Sequence, residues 1–205
     1  MGLGEDSKSG RGAFSKDVLV IEICGPNQEH FSVIDIPGIF RFSNPPFTTD
    51  ADQEMVREMV RRYIQNSRSI ILAVVPANVD PYTQEILKMT TEVDPEGERT
   101  LGVLTKPDLV DKGSEDKVVN LVNGKISTRN LGWCVVRNLS QVQLQKKGVD
   151  RNKLEMEFFK GQHPWNCLDE DKVGIAALRE KLQDMLSKKI RQEFPKVRIC
   201  YYYCI

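Results

Sequence analysis

Two short motifs in this sequence place chemically useful side chains directly after apolar segments. The first is Asp35-Ile36-Pro37-Gly38, which follows the apolar run Phe31–Ile34. A carboxylate at a strand end can hold Mg²⁺ directly or through water, and a glycine three positions later lets a backbone N–H approach a terminal phosphate. The same pattern occurs at residues 94–97 between two predicted elements, where a turn is the better interpretation. For Asp35 alone, a solvated strand end stays open as the alternative.

The second motif is Thr105-Lys106-Pro107-Asp108, the only [NT]-K-x-D match in the chain, and it follows the apolar segment Leu101–Leu104. Guanine presents its N1–H and its exocyclic amine side by side, and one carboxylate can accept both hydrogen bonds. Adenine lacks this donor pair, so a buried carboxylate left unpaired would disfavour adenine by on the order of 10⁴-fold or more. The stem of Lys106 can lie against the purine. A proline turn capped by Asp108 is the alternative interpretation.

A third candidate is the polar loop Arg137–Gln141, which comes after the next predicted strand. In folds that bind guanine this loop closes over the base, although the sequence alone indicates only a polar loop. The order of the first two motifs adds weight to both. The interval between Asp35 and Thr105 holds one predicted strand and two predicted helices, as a Ras-like fold requires between its magnesium motif and its base motif.

Strands and helices alternate along the chain and must position these motifs. Val18–Cys24 and Phe31–Asp35 are rich in β-branched residues and are joined by a turn-rich link, so they predict an antiparallel pair. The apolar runs Ile70–Val75 and Thr100–Leu104 predict strands buried on both faces, and Trp133–Val136 predicts a further strand. We therefore predict an α/β fold with a mostly parallel sheet, whose ligands bind beyond the carboxyl ends of the strands.

The predicted helices lie between these strands. Residues 50–66 carry an apolar stripe, Asp80-Pro81 marks the start of a helix that runs to about residue 92, and a further helix is predicted near 114–124. A last helix over 174–193 also has an apolar stripe, which can pack on its own domain or on a neighbouring one, and we expect Pro195 to end it. The stripe consists of Ile175, Leu178, Leu182, Met185, Leu186 and Ile190.

Composition is typical of a soluble chain that forms one domain or slightly more. Apolar residues make up 40% and charged residues 28% of the 205 positions, and 29 Lys and Arg balance 29 Asp and Glu. The zero net charge predicts no bulk attraction to nucleic acid or to anionic membranes. We see no signal peptide and no apolar run long enough to span a membrane. The five cysteines form no C-x-x-C pair and predict reduced thiols in the cytoplasm.

Three longer blocks, Asp35–Ile39, Ile71–Asp80 and Glu92–Asp111, closely resemble the GTPase domain of the dynamin superfamily. The variant Thr-Lys-Pro-Asp-Leu-Val-Asp-Lys-Gly over residues 105–113 looks most like the Mx-like branch and its fungal relatives. The resemblance extends from about Phe14 to about Lys196. It implies a Ras-like P-loop NTPase-type fold in three layers with a mostly parallel sheet.

The resemblance also implies a role for each candidate residue, with GTP or GDP and Mg²⁺ as ligands. Asp35 would serve the magnesium through water, and Gly38 would meet the terminal phosphate in a switch loop. Asp108 would bind guanine, and Leu139 stands where relatives often carry arginine. The nucleotide-binding residues implied are Asp35, Ile36, Pro37, Gly38, Thr105, Lys106, Pro107, Asp108, Asn138 and Gln141, and Asp35 is also the implied metal residue.

The pattern G-x-x-x-x-G-K-[ST] of a phosphate-binding loop occurs nowhere in the sequence. We therefore expect the family's first strand, its Walker A loop and its switch-one threonine to be missing, and we assign no catalytic residue. Each charge-assisted hydrogen bond contributes about 1.5–3 kcal/mol, so losing four would weaken nucleotide binding by at least about 10⁴-fold. The missing strand would also leave edges unpaired beside Phe31–Asp35 and Ile70–Val75, which predicts marginal stability or aggregation.

We expect three parts in the chain: a disordered start over residues 1–13, a partial dynamin-type G domain over 14–172, and a C-terminal helix with a short tail over 173–205. Three interpretations stay open. The chain is a GTP-binding and GTP-hydrolysing domain shortened at both ends, a non-catalytic interaction module that modulates full-length dynamin-like relatives, or an incomplete gene product.

The resemblance implies partners as well as ligands. The family hydrolyses GTP, dimerises across its nucleotide faces, and forms oligomers that act on membranes or viral assemblies. We therefore expect guanine nucleotide, a second copy bound through the nucleotide face, and full-length dynamin-like relatives as partners, and no nucleic acid. Contact with membranes or microtubules is expected only through domains missing from this chain. A cytoplasmic location, peripheral to organelle membranes in the full-length family, completes the expectation.

Overall fold

The computed structural model describes residues 13–26, 32–125, 132–146 and 148–203, with side chains described as far as residue 193. The chain divides into two units, Met1–Gln65 and Asn66–Ile205, and each is described by itself. The predicted disordered start over residues 1–13 lies outside the described residues except for its last position.

The first unit contains helix α1, Asp50–Ile64, which agrees with the predicted helix over residues 50–66. A capping box starts it: Asp52 N donates to Thr49 Oγ1 (3.2 Å) and Thr49 N donates to Asp52 Oδ2 (2.9 Å). The hydrogen bonds from the Thr49 hydroxyl and backbone hold the pKa of Asp52 below its ordinary value. Val56, Val60 and Ile64 recur every four residues and are buried, as the predicted stripe requires.

The antiparallel pair predicted for the first unit is wrong. Val18–Cys24 and residues 32–35 have no regular secondary structure, and Phe31 lies outside the described residues. Their apolar side chains are exposed; Val20 and Ile21, for example, are 79% and 76% exposed. Two strands without a covering layer have no buried face to stabilise them, so strong β-propensity alone does not suffice.

The second unit is built on a parallel sheet of three strands in the order β1-β2-β3. The strands are β1, Ile71–Pro76; β2, Thr100–Thr105; and β3, Trp133–Val135. Both pairings are parallel, with Leu104 of β2 in register with Val75 of β1 and with Val135 of β3. The three strands predicted for this unit and the parallel sheet are confirmed.

Helices cover both faces of this sheet. They are α2, Glu85–Val93; α3, Glu115–Val122; α4, Gln141–Leu144; α5, Arg151–Gly161; and α6, Gly174–Tyr203, with 3₁₀ turns at Pro81–Thr83, Pro107–Leu109, Trp165–Cys167 and Glu170–Lys172. Side chains of α2, α3 and α5 share one core with Val75, Leu104 and Val135. Side chains of α6 share a second core with Leu101 and Val103 on the opposite face. The α/β class with helix layers on both faces of the sheet therefore holds.

The two predicted helices between the strands are also confirmed, with one change at a start. Asp80 acts as an N-cap, since its Oδ1 accepts from Tyr82 N (2.9 Å), but the cap begins a 3₁₀ turn that precedes α2. Helix α5 was not predicted from the sequence. Its apolar positions do not form a clear stripe, since Leu154, Phe158 and Phe159 lie on one side while Met156 is 55% exposed.

The prediction that the strands are buried on both faces is correct for β2 and wrong for β1. Every residue from Thr100 to Leu104 is buried, whereas Leu72 and Val74 are 38% and 55% exposed. Their register partners on β2 are Leu101 and Val103, which lie under α6. Among the described side chains, α6 therefore covers β2 and leaves the same face of β1 open.

The prediction that Pro195 ends the last helix is wrong. Helix α6 continues past this residue to Tyr203. Proline removes one backbone hydrogen bond and displaces the preceding turn, which a long helix can accommodate by bending. The predicted stripe is buried at Leu178 and Met185, while Ile190 is 59% exposed. The stripe therefore packs on its own sheet over the first three turns of the helix.

Among the cysteines with described side chains, Cys24, Cys134 and Cys167 form no disulfide. Cys134 lies in the core of β3, and this burial raises the pKa of its thiol. Over the part of the chain with described positions, no helix combines the length and the apolar character needed to cross a bilayer.

The contact with Trp133 leaves no space for a side chain at Gly102, in the middle of β2. A methyl group added at Gly102 would overlap the indole ring of Trp133, its register partner on β3. We expect Gly102→Ala to lower the free energy of unfolding by about 1–3 kcal/mol, because overpacking forces a core side chain out of place. Urea unfolding followed by tryptophan fluorescence measures this directly, since Trp133 and Trp165 are the two tryptophans of the chain.

Gly161→Ala is the matched control for this substitution. Gly161 ends α5, and a methyl group there meets no atom within contact distance. Its stability should stay unchanged or rise slightly. An equal stability of Gly102→Ala and the wild type would show that β2 and β3 are not packed at this register.

Candidate functional site

Two of the predicted site loops meet at the carboxyl edge of the sheet. Thr105–Asp108 follows β2, and Asn138 follows β3 three residues after its end. Ala77 N donates to Thr105 O (2.7 Å), and Val136 N donates to Leu104 O (2.9 Å), so the sheet pairing continues up to the loops. The parallel order predicted from the sequence brings these loops to one side, where α/β folds bind ligands.

The loop after β2 contains a strained residue. Lys106 has φ 56° and ψ 46°, the left-handed conformation, and it is the only described residue other than glycine with a positive φ. A side chain in this conformation costs about 1–2 kcal/mol relative to the right-handed one. Buried Pro107 then starts a 3₁₀ turn, in which Leu109 N donates to Lys106 O (3.1 Å). Such strain concentrates at functional sites, and here it leaves the lysine side chain exposed.

Asp108 lies in that turn with its carboxylate 31% exposed. Its Oδ2 atom is 4.0 Å from Arg137 Nε, which links the loop after β2 to the loop after β3. At the other end of the same motif, the Thr105 hydroxyl donates to Val75 O at 3.4 Å. The motif is thus held at both ends, and its carboxylate still reaches solvent.

Arg137 is held from three sides. Its backbone N donates to Glu155 Oε1 (2.8 Å), its Nη1 donates to Leu154 O (3.4 Å), and its guanidinium lies 5.0 Å above the ring centre of Phe158. The buried Nε atom makes no hydrogen bond to any described group, and the Asp108 carboxylate lies 4.0 Å from it. The sequence pattern placed Arg137 in the polar loop and gave it no role.

Asn138 and Gln141 occupy the rest of this loop, and both are exposed. Asn138 Oδ1 accepts from Arg151 Nη2 (3.0 Å), which orients the amide. Gln141 is the first residue of α4, whose capping box joins Ser140 and Gln143. The structure thus places Asn138 next to the Arg137–Asp108 pair and Gln141 at the start of the following helix.

Glu155 and Arg151 are residues that sequence reasoning missed. Glu155 is buried on α5 and contacts Arg137 and Arg151, so it reaches both sides of the site loop. A signal was present: Glu155 precedes Phe158 by three residues and Phe159 by four, so on a helix it shares their buried face. A carboxylate on an apolar helical face needs partners, and these partners are the site loop.

The motif Asp35–Gly38 lies in the first unit, within an irregular segment. Asp35, Pro37 and Gly38 are exposed and Ile36 is partly buried. One exposed carboxylate fits Mg²⁺, which proteins often bind through one or two carboxylates together with water and substrate phosphates. Among the residues with described side chains, no group of three or more metal-binding side chains occurs.

The second D-x-x-G match is a turn, as predicted. Gly97 N donates to Asp94 O (3.1 Å), and Gly97 has φ +67°. The carboxylate of Asp94 is buried and accepts hydrogen bonds from Glu98 N, Arg99 N and the Thr100 hydroxyl. It therefore closes the connection between α2 and β2.

Comparison with known sequences finds two family matches. A sequence model described as "Dynamin family" matches residues 4–107, and one described as "Dynamin central region" matches residues 117–199. Interferon-induced GTP-binding protein Mx1 of Oncorhynchus mykiss is 37% identical over 197 residues, which cover 94% of this chain and 32% of that protein.

Two further relatives give the same result. The Mx protein of Epinephelus coioides is 37% identical over 197 residues (94% of this chain, 31% of that protein), and Mx1 of Rattus norvegicus is 37% identical over 184 residues (88% and 28%). The chain spans about a third of the length of these curated relatives.

Proposed function

This chain belongs to the dynamin family, and we propose that it binds guanine nucleotide at the loops that follow β2 and β3. The observation that carries the proposal is the Lys106–Asp108 turn, in which a strained lysine and a partly exposed carboxylate stand on the same carboxyl edge of a parallel sheet as Asn138. The names of the similar Mx proteins, which are GTP-binding, support the same ligand.

In this proposal each residue of the edge contacts a different part of the nucleoside. The Asp108 carboxylate accepts the N1–H and the exocyclic amine of guanine, which adenine cannot offer together. The Lys106 stem lies along the purine, with Thr105 and Pro107 holding the turn beneath it. Asn138 and Gln141 line the base and the ribose.

The motif Asp35–Gly38 of the first unit carries a separate part of the proposal. We assign Asp35 to Mg²⁺ through water and Gly38, with Ile36 and Pro37, to the terminal phosphate. Mg²⁺ would neutralise phosphate charge, and the exposure of Asp35 supports this assignment. Because the sequence has no G-x-x-x-x-G-K-[ST], we expect weak phosphate binding by these residues and name none as catalytic for GTP hydrolysis.

The same proposal covers organisation and partners. Residues 14–172 would form the G-domain portion and 173–205 the appended helix, in a cytoplasmic protein, as the free thiols support. A second copy would pack against the same edge of the sheet. Leu109, Val142 and Leu144 support this contact, since they follow β2 and β3 and are 56%, 64% and 66% exposed.

A second candidate is a non-catalytic module that modulates full-length dynamin-like relatives through the same surface. The absence of the phosphate-loop pattern from the sequence favours it, since such a module needs no phosphate contacts. The two candidates differ in whether the chain binds nucleotide at all.

Titration with fluorescent GDP, with and without Mg²⁺, tests the proposal. We expect binding in the micromolar range that GTP displaces and ATP does not, because the base contacts exclude adenine. Lys106→Ala should weaken binding about tenfold or more through loss of the purine contact. Lys112→Ala removes a second exposed lysine a few residues away and should leave binding unchanged, which controls for general electrostatic attraction.

Two results would contradict the proposal that this site binds guanine nucleotide. If no binding occurs up to millimolar nucleotide, the interaction-module candidate takes its place. If GTP and ATP compete equally, the chain binds phosphates without reading the base, and the roles given to Lys106 and Asp108 are wrong.

A further inference from the structure

Glu155 is a buried carboxylate that connects α5 to the site loop and to α6. Its side chain is 5% exposed. Oε1 accepts from Arg137 N (2.8 Å), and Oε2 accepts from Ile175 N (2.9 Å) near the start of α6. Arg151 Nη1 lies 3.6 Å from Oε2, one turn earlier on the same helix.

These contacts explain how a carboxylate can be buried at this position. An isolated buried charge is strongly unfavourable, whereas one that accepts two backbone hydrogen bonds and faces a guanidinium is compensated. The arrangement has a mechanical consequence, because both oxygens are used and neither can move without losing a partner. The backbone of Arg137 is therefore fixed relative to α5.

Arg137 and Arg151, which contact Glu155, connect it to the proposed base pocket. Arg151 donates through Nη2 to Asn138 Oδ1 (3.0 Å) while Nη1 faces Glu155. Arg137, fixed at its backbone, faces Asp108 Oδ2 through Nε (4.0 Å). One carboxylate therefore lies behind two side chains that the proposed function uses.

We propose that Glu155 is a positioning residue that sets the orientations of Asp108 and Asn138 through Arg137 and Arg151, and thereby the selectivity for guanine. This inference rests on the proposed nucleotide-binding function. A purely structural role, in which Glu155 only ties α5 to α6 through Ile175, makes a different prediction. If Glu155 has only this structural role, its substitution lowers stability and weakens the binding of all nucleotides equally. If it is a positioning residue, its substitution changes the ratio of the dissociation constants for different bases.

The readout is the ratio of inosine diphosphate to guanosine diphosphate dissociation constants. Inosine lacks the exocyclic amine, so this ratio reports the second hydrogen bond to Asp108. For the wild type we expect GDP to bind about 10- to 100-fold more tightly, the contribution of one hydrogen bond to a charged group. Glu155→Gln keeps the size of the side chain and removes its charge, and we expect it to reduce the ratio about fivefold or more.

Arg151→Met supplies an independent variant that leaves both backbone hydrogen bonds of Glu155 in place. It removes the hydrogen bond to Asn138 and the 3.6 Å ion pair with Glu155, on a side chain that is 29% exposed, and should also lower the ratio. Glu157→Gln is the matched control, since it makes the same change at an exposed position of α5. The control should keep the wild-type ratio.

Amide hydrogen exchange on the nucleotide-free chain tests the anchor separately from binding. In Glu155→Gln the new carboxamide keeps one acceptor for two backbone donors, so we expect at least one of the Arg137 and Ile175 amides to exchange about tenfold faster or more, whereas the Ile175 amide should stay protected in Arg151→Met. An unchanged base ratio in both variants, or unchanged exchange at both amides in Glu155→Gln, would overturn the inference. If the wild type itself shows no preference for GDP, the proposed function fails and guanine selectivity with it, while the exchange result still decides whether Glu155 holds the loop.

Discussion

Replacing Asp108 by asparagine is expected to change the base preference of this chain from guanine to xanthine. The carboxylate offers two acceptors to the N1–H and the amine of guanine, whereas the amide offers one acceptor and one donor. Xanthine carries a carbonyl where guanine carries the amine, so the Asn amide N–H would donate to it. We expect the preference for GDP over xanthosine diphosphate to change by on the order of 10⁴-fold, because guanine exchanges a good pairing for an unpaired group while xanthine does the reverse.

Competition against fluorescent GDP and fluorescent xanthosine diphosphate measures both affinities in the wild type and in Asp108→Asn. Asp111→Asn is the matched control, since it makes the same change at an exposed position three residues later. Circular dichroism at the assay temperature verifies that each variant is folded. Retained guanine preference in Asp108→Asn would remove this aspartate, and the turn that carries it, from the proposed base pocket.

The loops after β2 and β3, which we propose bind the base, could be predicted because their signals are local. Leu101–Leu104 is a continuous apolar run, and such a run is buried wherever it lies in an α/β sheet, so the motif after it falls at a strand end. The parallel order of β2 and β3 then brings Asn138 to the same edge. Neither step needs information about distant parts of the chain.

The remaining features depend on contacts between distant residues. Val18–Cys24 has the β-propensity of a strand, yet a strand requires a hydrogen-bonded neighbour and a covering layer that propensity does not supply. The exposure of Leu72 and Val74 depends on where α6 lies. Arg137 and Glu155 are separated by 18 residues, and their hydrogen bond exists only because α5 packs beside β3. The left-handed backbone of Lys106 is likewise unexpected for a lysine.

Asp94→Asn is expected to lower the free energy of unfolding of the second unit by about 2–4 kcal/mol. Asp94 Oδ2 accepts from Arg99 N (3.1 Å) and from the Thr100 hydroxyl (2.6 Å), and Oδ1 accepts from Glu98 N (3.0 Å). The asparagine keeps one acceptor and turns its N–H₂ group toward at least one of these three donors. A hydrogen bond to a charged group contributes about 1.5–3 kcal/mol, and Thr100 is fully buried, so no water compensates the loss.

Urea unfolding monitored by tryptophan fluorescence at pH 7 measures this difference in stability. Asp184→Asn, at an exposed position of α6, is the matched control and should unfold with the wild type. An Asp94→Asn protein as stable as the wild type would show that the connection between α2 and β2 does not depend on the carboxylate.

The pH dependence of the difference in unfolding free energy shows whether the charge of Asp94 or only its hydrogen-bond geometry stabilises the turn. Burial by itself raises the pKa of Asp94, but the hydrogen bonds from Thr100, Arg99 and Glu98 outweigh it and hold the pKa below its ordinary value of 3.8. A depressed pKa contributes stability that is fully present above the unfolded value and is lost as the pH falls through the folded value. The stability gap between wild type and Asp94→Asn should therefore be largest near neutral pH and narrow below about pH 4. Asp52 also has a lowered pKa, but it is present in both proteins and cancels in the difference. A gap that stayed constant into the acid range would mean that the turn depends on hydrogen-bond geometry alone and not on the ionised carboxylate.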